Sequence, residues 1–374
     1  MKRISKYKVD ISFIIILLLF FIISLISIYS AQSLISNNTL VYKQLLWYIA
    51  GFLLIFFTMF IGNEYIYRNY SIWYVLGIIS LIALLIFAPE INNAKCWFLI
   101  PGIGTIQPSE FMKIIYIIVL ANMLTKFNNE FSNPTVREEF MFLIKVILTF
   151  SVPAILTFLQ PDTGVVLIYL LITIIMLFIS GIRYRWFIIL FSILFLIVGI
   201  VVGIYFIDTD LFVNIFGTDF FLRIDRLLDW SSSSGYQLEN GMASIGSGGL
   251  FGMGINNTPI YFPEPQTDFI FAVYANNFGF VGSLFLILLM LFFDLKLIFL
   301  AIKTSNITNK FIISGIVGML IYQQLQNIGM TFGLMPITGI TLPFISYGGS
   351  SLLSYMIMMG IVFNISNQTI RYTN

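Results

Sequence analysis

Apolar runs near 20 residues long recur from one end of this 374-residue chain to the other, and they restrict its fold more than any other feature. A helix needs about 20 mainly apolar residues to cross the hydrocarbon of a bilayer. Ten such runs lie at roughly 11–31, 44–62, 71–88, 108–125, 140–159, 163–181, 186–207, 268–292, 311–332 and 346–366. Only 10% of the residues are charged, against about 25% in soluble domains. In lipid each backbone polar group must be satisfied within the structure, which favours helices for runs of this length. The expected fold is all-α: a polytopic membrane protein of about ten transmembrane helices, with 1–374 forming a single integral membrane domain.

Charge placement orients the helices. Lys2, Arg3, Lys6 and Lys8 precede the first run, which is too long for the core of a cleaved signal peptide and reads as a retained helix. With that end inside, Arg68, Lys126, Arg137, Arg183, Arg185, Lys296, Lys303, Lys310 and Arg371 also fall on cytoplasmic segments. The outer segments hold Lys43, Lys95, Arg223 and Arg226, so the bias follows the positive-inside rule and puts both termini in the cytoplasm. Glu90, Glu110, Asp162, Asp208, Asp210, Asp219, Asp225, Asp229, Glu239, Glu264 and Asp268 gather on the outer side. Acids contribute little to topology, so this excess points to a polar working face outside. The long extracytoplasmic loop between helices 7 and 8, residues 208–267, is expected to be ordered and functional.

The chain contains no His and a single Cys, Cys96. Ser-His-Asp and Cys-His catalysis are excluded, as are His-ligated metals and an internal disulfide. Acid–base work falls to Asp, Glu, Lys, Tyr or water, and a metal would be a hard cation on oxygen ligands.

Five stretches can carry chemistry. In Pro263-Glu264-Pro265-Gln266-Thr267-Asp268-Phe269 the prolines stiffen a loop, and Thr267 is positioned to cap a helix running from Phe269. Glu264 and Asp268 then stand at the mouth of that helix. A carboxylate so near hydrocarbon is a functional candidate, although Asp268 could equally complement the helix dipole. In Gln107-Pro108-Ser109-Glu110-Phe111-Met112-Lys113, Pro108 suits a first helical turn, and Glu110 and Lys113 share a face. They either line a wet cavity or lock two helices together. Trp97 nearby reads as an interfacial or cavity residue. In Gln160-Pro161-Asp162-Thr163-Gly164, Asp162 is placed to cap the sixth span.

Two glycine-rich stretches follow. Ser244 to Gly254 lacks the Gly-Lys-Ser/Thr ending of a nucleotide loop, and packing explains it at least as well as an anion nest. Residues 327–351 contain Pro336 and Pro343, which break the backbone at membrane depth, and Gly348, Gly349, Ser350 and Ser351, which suit tight helix packing.

Together these motifs, with Ser346-Tyr347-Gly348-Gly349-Ser350-Ser351 and Gly246-Ser247-Gly248-Gly249-Leu250-Phe251-Gly252, resemble the bacterial shape, elongation, division and sporulation (SEDS) family, typified by RodA and FtsW. The length, without long terminal extensions, is more RodA-like. The resemblance implies a peptidoglycan glycosyltransferase that polymerises lipid II on the outer face of the cytoplasmic membrane. Its implied partner is a class B penicillin-binding protein, a transpeptidase; membrane lipids surround it, and nucleic acid is not expected. Asp268 matches the family's essential acid, and Lys95, Trp97, Glu110, Lys113 and Glu264 would bind substrate. Gln107, Ser109, Asp162, Ser346 and Ser350 would line or support the cavity. No organic cofactor is implied, and Asp268 with Glu264 suggests a divalent cation, Mg or Mn. The family usually has Arg at Lys95, His at Gln266 and an acidic pair at Asn276-Asn277. A transporter of lipid-linked precursors, or a non-catalytic scaffold for a transpeptidase, would account for the same broken helices and membrane charges.

Overall fold

The computed structural model describes residues 9–35, 38–90, 95–100, 104–218, 220–221 and 235–372. The chain opens with α1 (Ile11–Leu34), α2 (Leu40–Ile61), the short α3 (Asn63–Arg68) and α4 (Tyr70–Phe87). An antiparallel hairpin follows, β1 (Phe98–Ile100) with β2 (Gly104–Ile106), in the register Phe98 to Ile106. Next come α5 (Pro108–Glu130), α6 (Val136–Leu159), α7 (Thr163–Ile179) and α8 (Tyr184–Ile207). The connection from α8 holds α9 (Thr209–Phe216) and α10 (Gly235–Ser247), and α11 (Ile270–Lys303), α12 (Ile307–Thr331) and α13 (Gly349–Tyr372) complete the bundle.

Each of the ten apolar runs coincides with a helix. Eight of these, α1, α2, α4, α6, α8, α11, α12 and α13, are long and apolar enough to cross a membrane. The other two are α5, which carries Glu110 and Lys113, and the 17-residue α7. The chain is therefore a multi-pass membrane protein. Helix starts follow local chemistry: Asp10 caps α1 by accepting from Ser12 N, Thr135 and Glu138 form a capping box on α6, and Asn306 caps α12.

α12 and α13 lie inside the bundle, whereas α8 has no buried residue. The start of α8 is tied to α6, since Trp186 Nε1 donates to Glu139 Oε2 at 2.8 Å and Arg183 lies 3.6 Å from the same carboxylate. Small residues let α13 press on α2, as expected: a Cβ on Gly349 would stand 2.5 Å from the Trp47 ring.

α11 departs from the expected run in two ways. It continues past residue 292 to Lys303, so Asp294 and Lys296 lie within the helix. Both find partners there. Gln324 donates to Asp294 at 3.3 Å, and Lys296 pairs with Asp10 at 2.8 Å. The helix also breaks at Gly279, which adopts φ 63. The glycine-rich run lies across that break. Met253 N and Gly254 N donate to the carbonyls of Asn276 and Asn277, and Phe280 N donates back to Gly249 O at 2.9 Å. A Cβ on Gly252 would collide with the Asn277 carbonyl, so only glycine permits this approach. The run is a packing element.

Asn276 and Asn277, where the SEDS family usually has acids, are buried and serve the same junction. Asn276 Nδ2 donates to Ser244 O at 3.0 Å and Ser247 Oγ at 2.8 Å, and Ser30 Oγ donates to Asn277 Oδ1 at 2.9 Å.

Candidate active site

The α12–α13 connection turns into the bundle. Phe344 takes φ 64, stacks on Phe20 at 5.4 Å and accepts the Tyr48 hydroxyl on its carbonyl at 2.5 Å. Ser24 Oγ donates to Ile345 O at 2.8 Å and Gln44 Nε2 to Ser346 O at 3.3 Å. These donors satisfy irregular backbone at membrane depth, as such backbone requires.

This buried loop holds the turn that carries Asp268. Ser346 Oγ donates to Thr267 O at 2.7 Å, and Tyr347 N to Gln266 O at 2.9 Å. From the other side Asn327 Nδ2 donates to Asp268 O at 2.9 Å and to Ile340 O at 2.8 Å. Backbone bonds thus fix Asp268 while its carboxyl faces a cavity.

Thr267 does not cap the helix. α11 begins at Ile270 with no side-chain cap, and the Thr267 hydroxyl donates instead to Glu264 Oε2 at 2.7 Å. Gln266 Nε2 donates to the same oxygen at 2.9 Å. Glu264 sits at φ 53, and its carbonyl accepts from Thr267 N and Phe269 N, which closes the turn and brings its carboxylate within reach of Thr267. A charged acceptor inside the turn outcompetes the orphan amides of the helix start. Burial, and then the neighbouring Glu264 charge, push the Asp268 carboxyl up to about 7.

The opposite wall is built on the first turns of α5 and α7. Asp162 caps α7 as expected, with Oδ1 accepting from Val165 N at 3.2 Å. Its other oxygen accepts from Gln107 Nε2 at 2.8 Å and Ser109 Oγ at 3.3 Å. Burial raises its carboxyl to about 6, with the Glu110 charge adding to the effect and the Val165, Ser109 and Lys113 partners opposing it. Ser350 Oγ accepts from Gln107 N at 2.8 Å, joining this wall to α13. Glu110 and Lys113 pair at 2.8 Å within α5, so they do not lock two helices together. Glu110 faces the cavity and Lys113, fully buried behind it, lies 5.6 Å from the centre of the Tyr355 ring.

Between these walls is a cavity of about 540 Å³. Of the residues selected from sequence, Trp97, Gln107, Glu110, Asp162, Glu264, Asp268 and Ser350 line it. Ser109, Lys113 and Ser346 sit behind its wall, and half-buried Lys95 stands outside the lining. Asn92, Asn93, Asp219, Arg223, Asp225, Arg226 and Asp229 lie outside the described residues. The lining also includes Trp47, Gln323, Thr338, Thr341 and Tyr347, none of which sequence reading selected as a site residue. The signal was present for Gln323, an amide within an apolar run. A larger cavity of about 700 Å³ between α7, α11 and α12 is apolar apart from Lys310, Ser314 and Tyr322, and its lining holds no carboxylate.

Among the described residues no three His, Cys, Asp or Glu side chains cluster as a metal cage. Asp268 and Glu264 nevertheless fit a hard cation that takes its remaining ligands from phosphate and water, because the Glu264 charge raises the cost of ionising Asp268 and a cation would offset it.

A family model described as "Cell cycle protein", covering FtsW, RodA and SpoVE, matches residues 8–371. The chain belongs to this family. The probable peptidoglycan glycosyltransferase FtsW of Bacillus subtilis (strain 168) is 32% identical over 384 residues, spanning 98% of this chain and 92% of that one. The crystal structure of Thermus thermophilus rod shape determining protein RodA matches with a TM-score of 0.69 and 25% identity over 98% of both chains. A chain from a peptidoglycan synthase complex that coordinates polymerization and crosslinking gives a TM-score of 0.80 over 99% of this chain and all of that one, at 24% identity, a likeness of fold. With FtsW among the sequence relatives and RodA among the structures, the length-based preference for RodA gains no support over FtsW.

Proposed function

We propose that this family member is a peptidoglycan glycosyltransferase that polymerises lipid II, with Asp268 as general base. The observation that carries this reading is the Asp268 carboxyl: rigidly held, facing a polar cavity, and poised near neutral pH. A general base works best with a pKa near the operating pH. The sequence relatives named as probable peptidoglycan glycosyltransferases support the same reading.

In the step proposed, the 4-hydroxyl of one sugar attacks the anomeric carbon of another. The hydroxyl proton passes to Asp268, the new glycosidic bond forms, and the bond to the lipid pyrophosphate breaks with its electron pair leaving on oxygen. Pyrophosphate needs no acid to depart, so one carboxylate suffices, as in the base half of an inverting glycosidase. Lys113 is already neutralised by Glu110 and set behind the wall, so the pair shapes the cavity more than it receives the leaving group. A Mg or Mn ion, held by Asp268 and Glu264, would supply that charge compensation.

The Lys and Arg bias supports a reading in which this cavity opens on the outer face of the bacterial cytoplasmic membrane. A class B penicillin-binding protein is the partner proposed, in keeping with the synthase complex that shares the fold. The deciding experiment incubates purified protein with labelled lipid II. Asp268→Asn should lower polymer synthesis by roughly 10²- to 10⁴-fold with an unchanged melting temperature. Polymer at the wild-type rate from that variant would refute the reading.

A further inference from the structure

Three buried polar atoms on the cavity wall, on Gln323, Thr338 and Thr341, have no hydrogen-bond partner. The Thr341 hydroxyl lies against Tyr355, and the chemistry of the other two specifies what would satisfy them. Gln323, on α12, is 1% exposed. Its Nε2 donates to the Tyr355 hydroxyl at 2.8 Å, which fixes the amide and leaves Oε1 buried and unpartnered. The Thr338 hydroxyl is likewise buried and unpartnered. Both residues line the 540 Å³ cavity.

They also stand near the base. Asn327, one helical turn on from Gln323, donates to Asp268 O, and Asp268 Oδ2 lies 3.7 Å from the Cβ position of Gly339, the residue after Thr338. Thr338 is seated here by Gly164, where a Cβ would come within 2.9 Å of Thr338 O.

Buried polar groups left unpaired are costly, so each of these atoms is a demand for a ligand group. Gln323 Oε1 accepts only, and asks for an N–H or O–H. The Thr338 hydroxyl can give a proton to a carbonyl. Neither neighbour is a free cation, since Lys113 is held by Glu110. An acceptor and a donor lining one cavity suit a secondary amide, and Trp47 and Trp97 in the same lining offer flat apolar faces for a sugar ring.

We propose that Gln323 and Thr338 form a subsite for the secondary amide of the acceptor sugar, the ring whose hydroxyl Asp268 deprotonates. Gln323 Oε1 takes the amide N–H and the Thr338 hydroxyl donates to the amide carbonyl. The subsite rests on the glycosyltransferase reading and adds a selectivity to it: a sugar bearing an acylated amine is accepted and its deoxy counterpart is rejected.

The test compares two acceptors in polymer synthesis by the purified full-length protein. One carries the acetamido group, and the other has hydrogen in its place. The wild type should favour the first by roughly 10- to 100-fold in kcat/KM, the rate equivalent of one buried unpaired group. Gln323→Leu and Thr338→Val should each erase most of that preference by slowing the acetamido acceptor alone. Thr338→Val is nearly isosteric and serves if the Leu variant does not fold. Equal slowing of both acceptors would mean a structural role, and a wild type that does not discriminate would mean water fills the site; either result overturns the subsite while leaving the polymerase reading intact. A wild type that makes no polymer from either acceptor removes both.

Discussion

Asp268 and Glu264 show how much one neighbour can set. Burial is the larger cause of the raised Asp268 carboxyl and the Glu264 charge the smaller, and both favour the protonated form. A base must be ionised to act, so kcat/KM for polymer synthesis should rise with pH through about 7 and fall away on the acid side. Glu264→Gln removes the nearby charge while keeping an oxygen for Thr267 and Gln266. The rising limb should then move to lower pH, stopping above the ordinary carboxylate range because burial persists. A limb that stays in place would sink Asp268 as the titrating base. Asn327→Leu makes a different prediction. It removes both donors to Asp268 O and Ile340 O, each a loss of roughly 1–3 kcal/mol, so kcat should fall while the limb keeps its position. That combination, measured by the same pH profiles, separates holding the base from tuning it.

At the scale of the element, the junction between the glycine-rich run and the break in α11 leaves no room for a larger side chain. Gly252 has φ 88 and no room for a Cβ beside Asn277 O. Gly252→Ala should destabilise the protein by about 1–3 kcal/mol from overpacking, read as a lowered melting temperature in detergent, and an unchanged melt would show that the run is not clamped to α11. Sequence reading left the run open between packing and an anion nest, and it did not reach the break the run packs on, because a helical glycine and a helix-breaking one look alike until the partner backbone is placed. It reached the Asp162 cap and the Pro108 start because those depend on residues next to one another. It failed at Thr267, where an acid three residues earlier folds back and captures the hydroxyl. It also missed the hairpin Phe98 to Ile106, too short for alternation to register, and Gln323 and Thr338, whose importance depends on a loop returning through the bundle. Local chemistry was legible, and long-range closure was not.

Across the whole molecule, charge divides the bundle into two ends. Lys126 with Tyr70, Arg183 with Glu139, and Lys296 with Asp10 mark one end, where the basic residues find partners. Asp162, Glu264 and Asp268 stand with the cavity at the other. If the basic end faces the cytoplasm, the cavity opens where cell wall is built; if the bundle is inverted, the proposed reaction has no substrate to meet. The single cysteine makes this orientation directly measurable. Cys96 is buried and its Sγ donates to Gln160 O at 2.7 Å, a bond that Cys96→Ser preserves. In that background Tyr261→Cys places a thiol on an exposed residue near the Asp268 turn, and Lys303→Cys places one at the far end of α11. A membrane-impermeant maleimide applied to intact cells stripped of wall should label the Tyr261→Cys protein and spare the Lys303→Cys protein, and inverted vesicles should reverse the pattern. Labelling of Lys303→Cys alone from outside would put Asp268 in the cytoplasm and end the case for lipid II polymerisation at this cavity.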